Sequence, residues 1–341
     1  MIIDCHGHFT TVPNSFREWR AKQVEFADDK FNAPDLSGAH VSDDAIREAI
    51  EKGQLRLQRE RGSDLTLLSP IAGLMSHHLG NERTSLEWAR ISNDLVRRVC
   101  DLYPDNFVPV GQLPQSSQAP PGNSVPELRR IVDELGFVGV NLNPDPSGGY
   151  WTGLPMSDRQ WYPIYEALCE LDVPAMIHVA ASCNPCFHGT GAHYLNADTA
   201  VFMQLLQSDV FKDFPSLRVV IPHGGGAVPY HWGRYRGMSL EMLGRPLEGL
   251  LDNIFFDTCV YHHPGVELLT KVIPTRNVLF GSEMIGAVRG RDPATGEYFD
   301  DTKRYLDACA LLTDEDRQAI FEGNVRRVYP RLNIQLKAKG R

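Results

Sequence analysis

Eight short β-prone runs recur along the chain, and their spacing is the strictest constraint on its fold. They are Ile2–Cys5, Leu65–Leu68, Phe107–Val110, Phe137–Val140, Ala175–His178, Leu217–Ile221, Ile254–Asp257 and Val278–Gly281. Most lack apolar/polar alternation, so each must be buried on both faces, as strands of a parallel sheet are. Helical patterns separate them. Ser42 to Arg61 opens on a Ser cap and an acidic first turn, with Ala45, Ile46, Ala49 and Ile50 at helical spacing. Ser124-Val125-Pro126-Glu127 reads as a capping box before Leu128, Ile131, Val132 and Leu135. Further helices are predicted over 84–102, 158–171, 266–273, 302–312 and 314–322. Alternation of this kind predicts an α/β fold, a (β/α)8 TIM barrel rather than a doubly wound sheet.

Length alone leaves one or two domains open, at about 150 residues each. No repeat, low-complexity tract or Pro/Gly-rich linker divides the 341 residues, so one domain over 1–341 is expected. Within it, 9–40 reads as a polar insertion after the first strand, a lid or dimer arm, and 326–341 as a C-terminal tail with a basic, solvated end. A homodimer is expected through the insertion. Lys plus Arg number 34 against 43 Asp plus Glu, a net charge of −9 that is opposite in sign to a nucleic-acid footprint. No apolar run reaches the roughly 18 residues of a membrane span, and the opening lacks a basic leader region, so a cytoplasmic protein is expected. Seven scattered cysteines fit reduced thiols, with Cys183 and Cys186 as loop thiols.

The chemistry collects at strand ends. His6 and His8 flank Gly7 where the first strand finishes, and alternation sends both side chains one way. His178 ends the fifth strand, His223 the sixth, and Glu283 follows the eighth. In a barrel these C-terminal ends converge on one pocket. Imidazoles with a carboxylate suit one divalent transition metal, Zn²⁺ first and Mn²⁺ second. His40, His77, His78 and His231 receive no metal role.

His6-Gly7-His8, His178, His223-Gly224-Gly225-Gly226 and Gly281-Ser282-Glu283 resemble the amidohydrolase superfamily, over residues 2 to about 325, in the branch that contains aminocarboxymuconate-semialdehyde decarboxylase. Within that branch Ile2–Thr11, His193–Thr199 and Gly281–Met284 are most similar to the hydratases of protocatechuate 4,5-cleavage. The resemblance implies that His6, His8, His178 and Glu283 hold the metal, with His223 a neighbouring catalytic or substrate-binding group. Two departures from the wider superfamily bear on mechanism. Asn141 and Asn143 end the fourth strand with no lysine to bridge two metals, which implies a mononuclear site. Glu283 also stands where most members have aspartate.

The substrate so implied is a keto tricarboxylate whose double bond is conjugated to the ketone. A protein of net charge −9 needs local cations to hold it. Arg289 and Arg291 after the eighth strand come first, then Arg234 and Arg236 after the sixth, with Asn184 and His188 after the fifth. Glu283 is the expected base for water addition, and Glu283, His223 or Tyr194 returns the proton to carbon. A decarboxylase of the same branch or a hydrolase would use the same ligands. A catalytically inactive barrel would have lost them.

Overall fold

The computed structural model describes residues 1–27, 38–187 and 189–341, apart from the side chains of 189 and 190. His188 and residues 28–37 of the expected 9–40 insertion lie outside the described residues. Nine strand segments form the sheet: β1 Ile3–His8, β2 Leu65–Ser69, β3 Phe107–Pro109, β4 Gly111–Gln112, β5 Val140–Leu142, β6 Ala175–Ile177, β7 Val219–Ile221, β8 Ile254–Asp257 and β9 Val278–Leu279. Every pairing is parallel. β3 falls in the expected run Phe107–Val110, and β4 extends the strand two residues beyond it after a break at Val110, whose N–H bonds Leu68 O at 2.9 Å.

Pairing runs β1–β2–β3 and β4 through β9. At one seam Val138 N–H bonds Pro109 O at 3.1 Å and Gly111 N–H bonds Gly139 O at 2.9 Å. At the other, Cys5 N–H bonds Phe280 O and Glu283 N–H bonds His6 O, both at 2.8 Å. These bonds carry the sheet round into the (β/α)8 barrel. Helices such as Glu82–Leu102 bury their apolar faces against its outside, whereas Ile3, Cys5, Leu67, Val108, Met176, Val220, Phe255 and Leu279 fill a second, inner cluster.

Several local expectations are corrected. The 42–61 helix is two, Asp43–Lys52 and Gln54–Glu60, although Ser42 does cap the first by accepting from Ala45 N–H at 3.2 Å. Gly53 makes the break, because a Cβ there would lie 2.7 Å from Thr11 Cγ2 and 2.9 Å from Ala49 O. Ser124 does not cap: its own backbone is helical, and the Glu127 carboxylate takes bonds from Asn93 and Arg130 instead. A capping box forms at Thr313–Asp316. The fourth run starts late, at Val140, since Phe137 N–H still bonds back to Ile131 O of the preceding helix.

The 326–341 segment is not a free tail. Within it the helix Pro330–Ala338 packs Leu332 and Leu336, with Val328 and Tyr329, against the inner barrel cluster. It thereby closes the N-terminal mouth and leaves the C-terminal rim for chemistry.

Candidate active site

His6 and His8 project from β1 around an irregularity in its register between Asp4 and Gly7. Gly7 allows this because a Cβ there would run into Thr66 Cγ2 of the neighbouring strand. His178 directly follows β6, and its N–H bonds Leu142 O at 2.9 Å. Glu283 is seated through Asp4, whose carboxylate accepts from the N–H groups of His6 and Ser282, both at 3.0 Å, and from the Ser282 hydroxyl.

The second ring nitrogens decide the tautomers. His6 Nδ1 lies 2.7 Å from Asp257 Oδ2, which can only accept from it. His178 Nδ1 donates to Val179 O at 3.0 Å. Ser69 Oγ, which accepts from Asn141 Nδ2 and has Gly7 O at 3.1 Å, lies 2.6 Å from His8 Nδ1 and fixes that ring. The Nε2 atoms of His6 and His178 are therefore unprotonated. They nevertheless converge, His8 Nε2 lying 3.1 Å from that of His6 and 3.0 Å from that of His178. Lone pairs that face each other at such distances repel unless a cation lies between them. Two nitrogens bound to one tetrahedral ion at about 2.0–2.1 Å would stand about 3.3 Å apart, so the cluster fits a divalent metal. Burial, reinforced by the neighbouring His6, pushes His8 down to about 3, and burial holds His178 well below its ordinary value.

Glu283 spans two groups. Its Oε1 is 4.0 Å from His8 Nε2 and its Oε2 is 3.9 Å from His223 Nε2. One ligand atom each from His6, His178, His223 and Glu283 falls within 4.8 Å of the others, a group that could hold a metal and that takes in His223, expected as a neighbour of the ion, in place of His8. His223 Nδ1 bonds Asp198 Oδ2 at 2.9 Å. Burial would lower His223, but the Asp198 carboxylate wins and raises it to about 9. Burial would raise Glu283, yet His223 beside it holds it below the usual range. Asp198 thus favours the proton on His223, and His223 in turn favours the charge on Glu283.

Tyr194 joins them, its ring centroid 5.3 Å from that of His178 and 5.6 Å from that of His223. Burial, and then Glu283, pushes its phenol above the ordinary value. His223, Tyr261 and Glu283 all carry positive φ, 52°, 62° and 49°, a strained conformation that concentrates at functional sites.

The expected substrate-binding residues divide. Arg289 Nε donates to Gly286 O at 3.3 Å, three residues beyond Glu283. Arg291 is exposed, donates to Gly296 O and lies 4.1 Å above the Tyr298 ring. Arg234 is exposed on the helix Trp232–Leu243, and Arg236 pairs with Glu248 at 3.1 Å. Asn184 has both amide ends engaged within its own loops, donating to Gly149 O and accepting from Cys186 N–H. Cys183 and Cys186 are free thiols, and His77 is held in the core by Asn143 at 2.8 Å.

Sequence reasoning missed Asp257, Asp198, Ser69, Tyr261 and Arg17. Asp257 ends β8, so the strand-end criterion that found the histidines reaches it. Tyr261 donates to Glu283 Oε2 at 2.8 Å. Arg17 donates to Thr10 O at 2.7 Å, two residues beyond His8. Burial and then the charge of Arg289 lower its pKa, so the two cations lie within electrostatic reach of one another.

The whole chain is similar to known proteins. The chain is 58% identical to 2-keto-4-carboxy-3-hexenedioate hydratase of Sphingobium sp. (strain NBRC 103272 / SYK-6), over 100% of this chain and 99% of that protein. The crystal structure of 4-oxalomesaconate hydratase from Rhodopseudomonas palustris superposes with a TM-score of 0.93 at 56% identity, covering 100% of this chain and 99% of that one. The 5-carboxyvanillate decarboxylase of Sphingomonas paucimobilis shares the fold, with a TM-score of 0.70 at 19% identity over 96% of this chain and 98% of that one. The amidohydrolase family model matches residues 3–331, and with the strand-end histidines and Glu283 in place the chain belongs to the amidohydrolase family.

Proposed function

We propose that the chain is a metal-dependent hydro-lyase that adds water to the carbon–carbon double bond of 2-keto-4-carboxy-3-hexenedioate, the 4-oxalomesaconate skeleton, to give 4-carboxy-4-hydroxy-2-oxoadipate in protocatechuate 4,5-cleavage. One observation carries the mechanism. The Glu283 carboxylate stands between the imidazole triad and His223, within 4.0 Å of both. Full-length identity of 58% to a hydratase of this substrate supports the choice of reaction.

His6, His8, His178 and Glu283 would hold the ion, and three nitrogens with one oxygen favour zinc. Such an ion supplies Lewis acidity, which makes a water proton easier to remove. Glu283 accepts that proton as the water oxygen bonds to C4, the carbon β to the ketone. The π electrons move onto the ketone as an enolate. His223, kept protonated by Asp198, then delivers a proton to C3. Tyr194 lines the same space and orients the substrate. Arg289, with Arg17 opposite, takes a carboxylate at the mouth, each guanidinium being fastened to a backbone carbonyl within three residues of a ligand.

The test is direct. Metal-replete protein is incubated with the keto tricarboxylate while the conjugated absorbance is followed and the product weighed by mass spectrometry. Loss of absorbance with gain of one water is expected. Release of carbon dioxide or bicarbonate would make the chain a decarboxylase instead.

A further inference from the structure

Three polar atoms beside the site have no hydrogen-bond partner although solvent does not reach them: Nδ1 and Nε2 of His193, and Nε1 of Trp151. His193 is 0% exposed. A neutral imidazole carries one donor and one acceptor, and an indole one donor. Buried groups of this kind are nearly always paired, so two such residues, each neighbouring Tyr194, call for an explanation. Packing does not provide it, because phenylalanine would pack without the polar atoms.

Position does. His193 precedes Tyr194, and their ring centroids are 6.4 Å apart. Trp151 packs against Val179, Tyr194 and Ala197, and Val179 is the residue after His178. The backbone of Trp151 is held at φ 52°, a conformation bulky residues rarely adopt. Asp145 imposes it: its buried carboxylate accepts from Ser147, from Gly149 N–H and from Trp151 N–H at 3.2 Å. The loop after β5 is thus organised around a buried acid, and the indole it positions keeps its donor unused.

We propose that His193 and Trp151 form a carboxylate-binding subsite of the active site, the imidazole N–H and the indole N–H donating to the substrate carboxylate that lies away from the metal. Trp151 can only donate, and a carboxylate accepts from two donors at once. The subsite rests on the hydratase reading and sharpens it, for it selects a third carboxylate by neutral donors rather than by charge.

Steady-state kinetics, metal content and thermal melting of the metal-loaded full chain test it through His193→Phe and Trp151→Phe. In both, KM should rise roughly tenfold or more while kcat stays within about threefold and bound metal is unchanged. His193→Phe should melt no lower than wild type, since a buried group without partners is removed. His193→Gln, which keeps a donor and an acceptor, should lose less affinity, and with Trp151→Phe it decides the matter if His193→Phe does not fold. Calorimetric titration supplies a readout that does not depend on turnover: tricarballylate should bind at least tenfold more weakly to both Phe variants, with glutarate unchanged within about twofold. Unaltered KM and tricarballylate affinity overturn the subsite, as does a loss confined to kcat or metal. A wild-type chain that does not hydrate the keto tricarboxylate, but whose tricarballylate affinity still depends on His193 and Trp151, overturns the hydratase reading and leaves the subsite standing.

Discussion

Asp257 Oδ2 lies 2.7 Å from His6 Nδ1, and the other oxygen of the same carboxylate accepts the N–H groups of Gly224 and Cys259. One buried acid thus sets a ligand tautomer and pins the turn that follows His223. In Asp257→Asn the amide oxygen must face those two N–H groups, which turns its NH2 toward His6. That forces the Nε2–H tautomer and removes a lone pair from the cluster. Metal affinity, measured by chelator competition, should fall about 10- to 100-fold. Unchanged affinity would mean that Asp257 does not govern His6.

Metal content should separate the histidines. His178→Ala is expected to lose metal and activity together, while His223→Ala keeps most of its metal and loses turnover. Elemental analysis should find one equivalent, zinc, in the wild-type chain. Equal loss in the two variants would make His223 a ligand, and two equivalents would refute a mononuclear site.

Glu283→Gln should retain metal, because an amide oxygen can still face the ion, while hydration drops by a factor on the order of 10² to 10⁴. Stopped assays with parallel metal analysis read both quantities. Near-normal turnover would move the base to another group.

The arginines differ in freedom. Arg291 is tied to Gly296 O at 2.7 Å and stacked on Tyr298, whereas Arg289 has only the longer 3.3 Å bond to Gly286 O and lies within electrostatic reach of Arg17. Arg289→Lys should therefore lose roughly tenfold or more in kcat/KM, about 1.4 kcal/mol, and Arg291→Lys much less. The reverse order in steady-state kinetics would place the substrate anion at Arg291.

Leu332 is 0% exposed beneath the barrel. Leu332→Ala should cost about 2–5 kcal/mol in urea unfolding. A change near zero would mean that the C-terminal helix contributes little to the core.

The sequence by itself determined the barrel and the histidines that stand at its strand ends, because both are local facts. A strand buried on two faces shows as an unbroken apolar run, and a residue that ends such a run stands at the catalytic rim of a barrel wherever it falls in the chain. The register of each pairing, and what each ligand leans on, depended on the tertiary structure. His6 meets Asp257 across 251 residues, His8 meets Ser69 across 61, and His223 meets Asp198 across 25. No spacing rule links such pairs, since barrel closure and the packing of the helix Tyr194–Leu206 set their distances. The same holds for the 326–341 segment, whose basic end reads as solvated. Only the open N-terminal mouth of the barrel gives Val328, Leu332 and Leu336 an apolar surface to cover. Tautomer, protonation and the unpaired His193 likewise follow from contacts between distant segments, and those form only when the chain has folded.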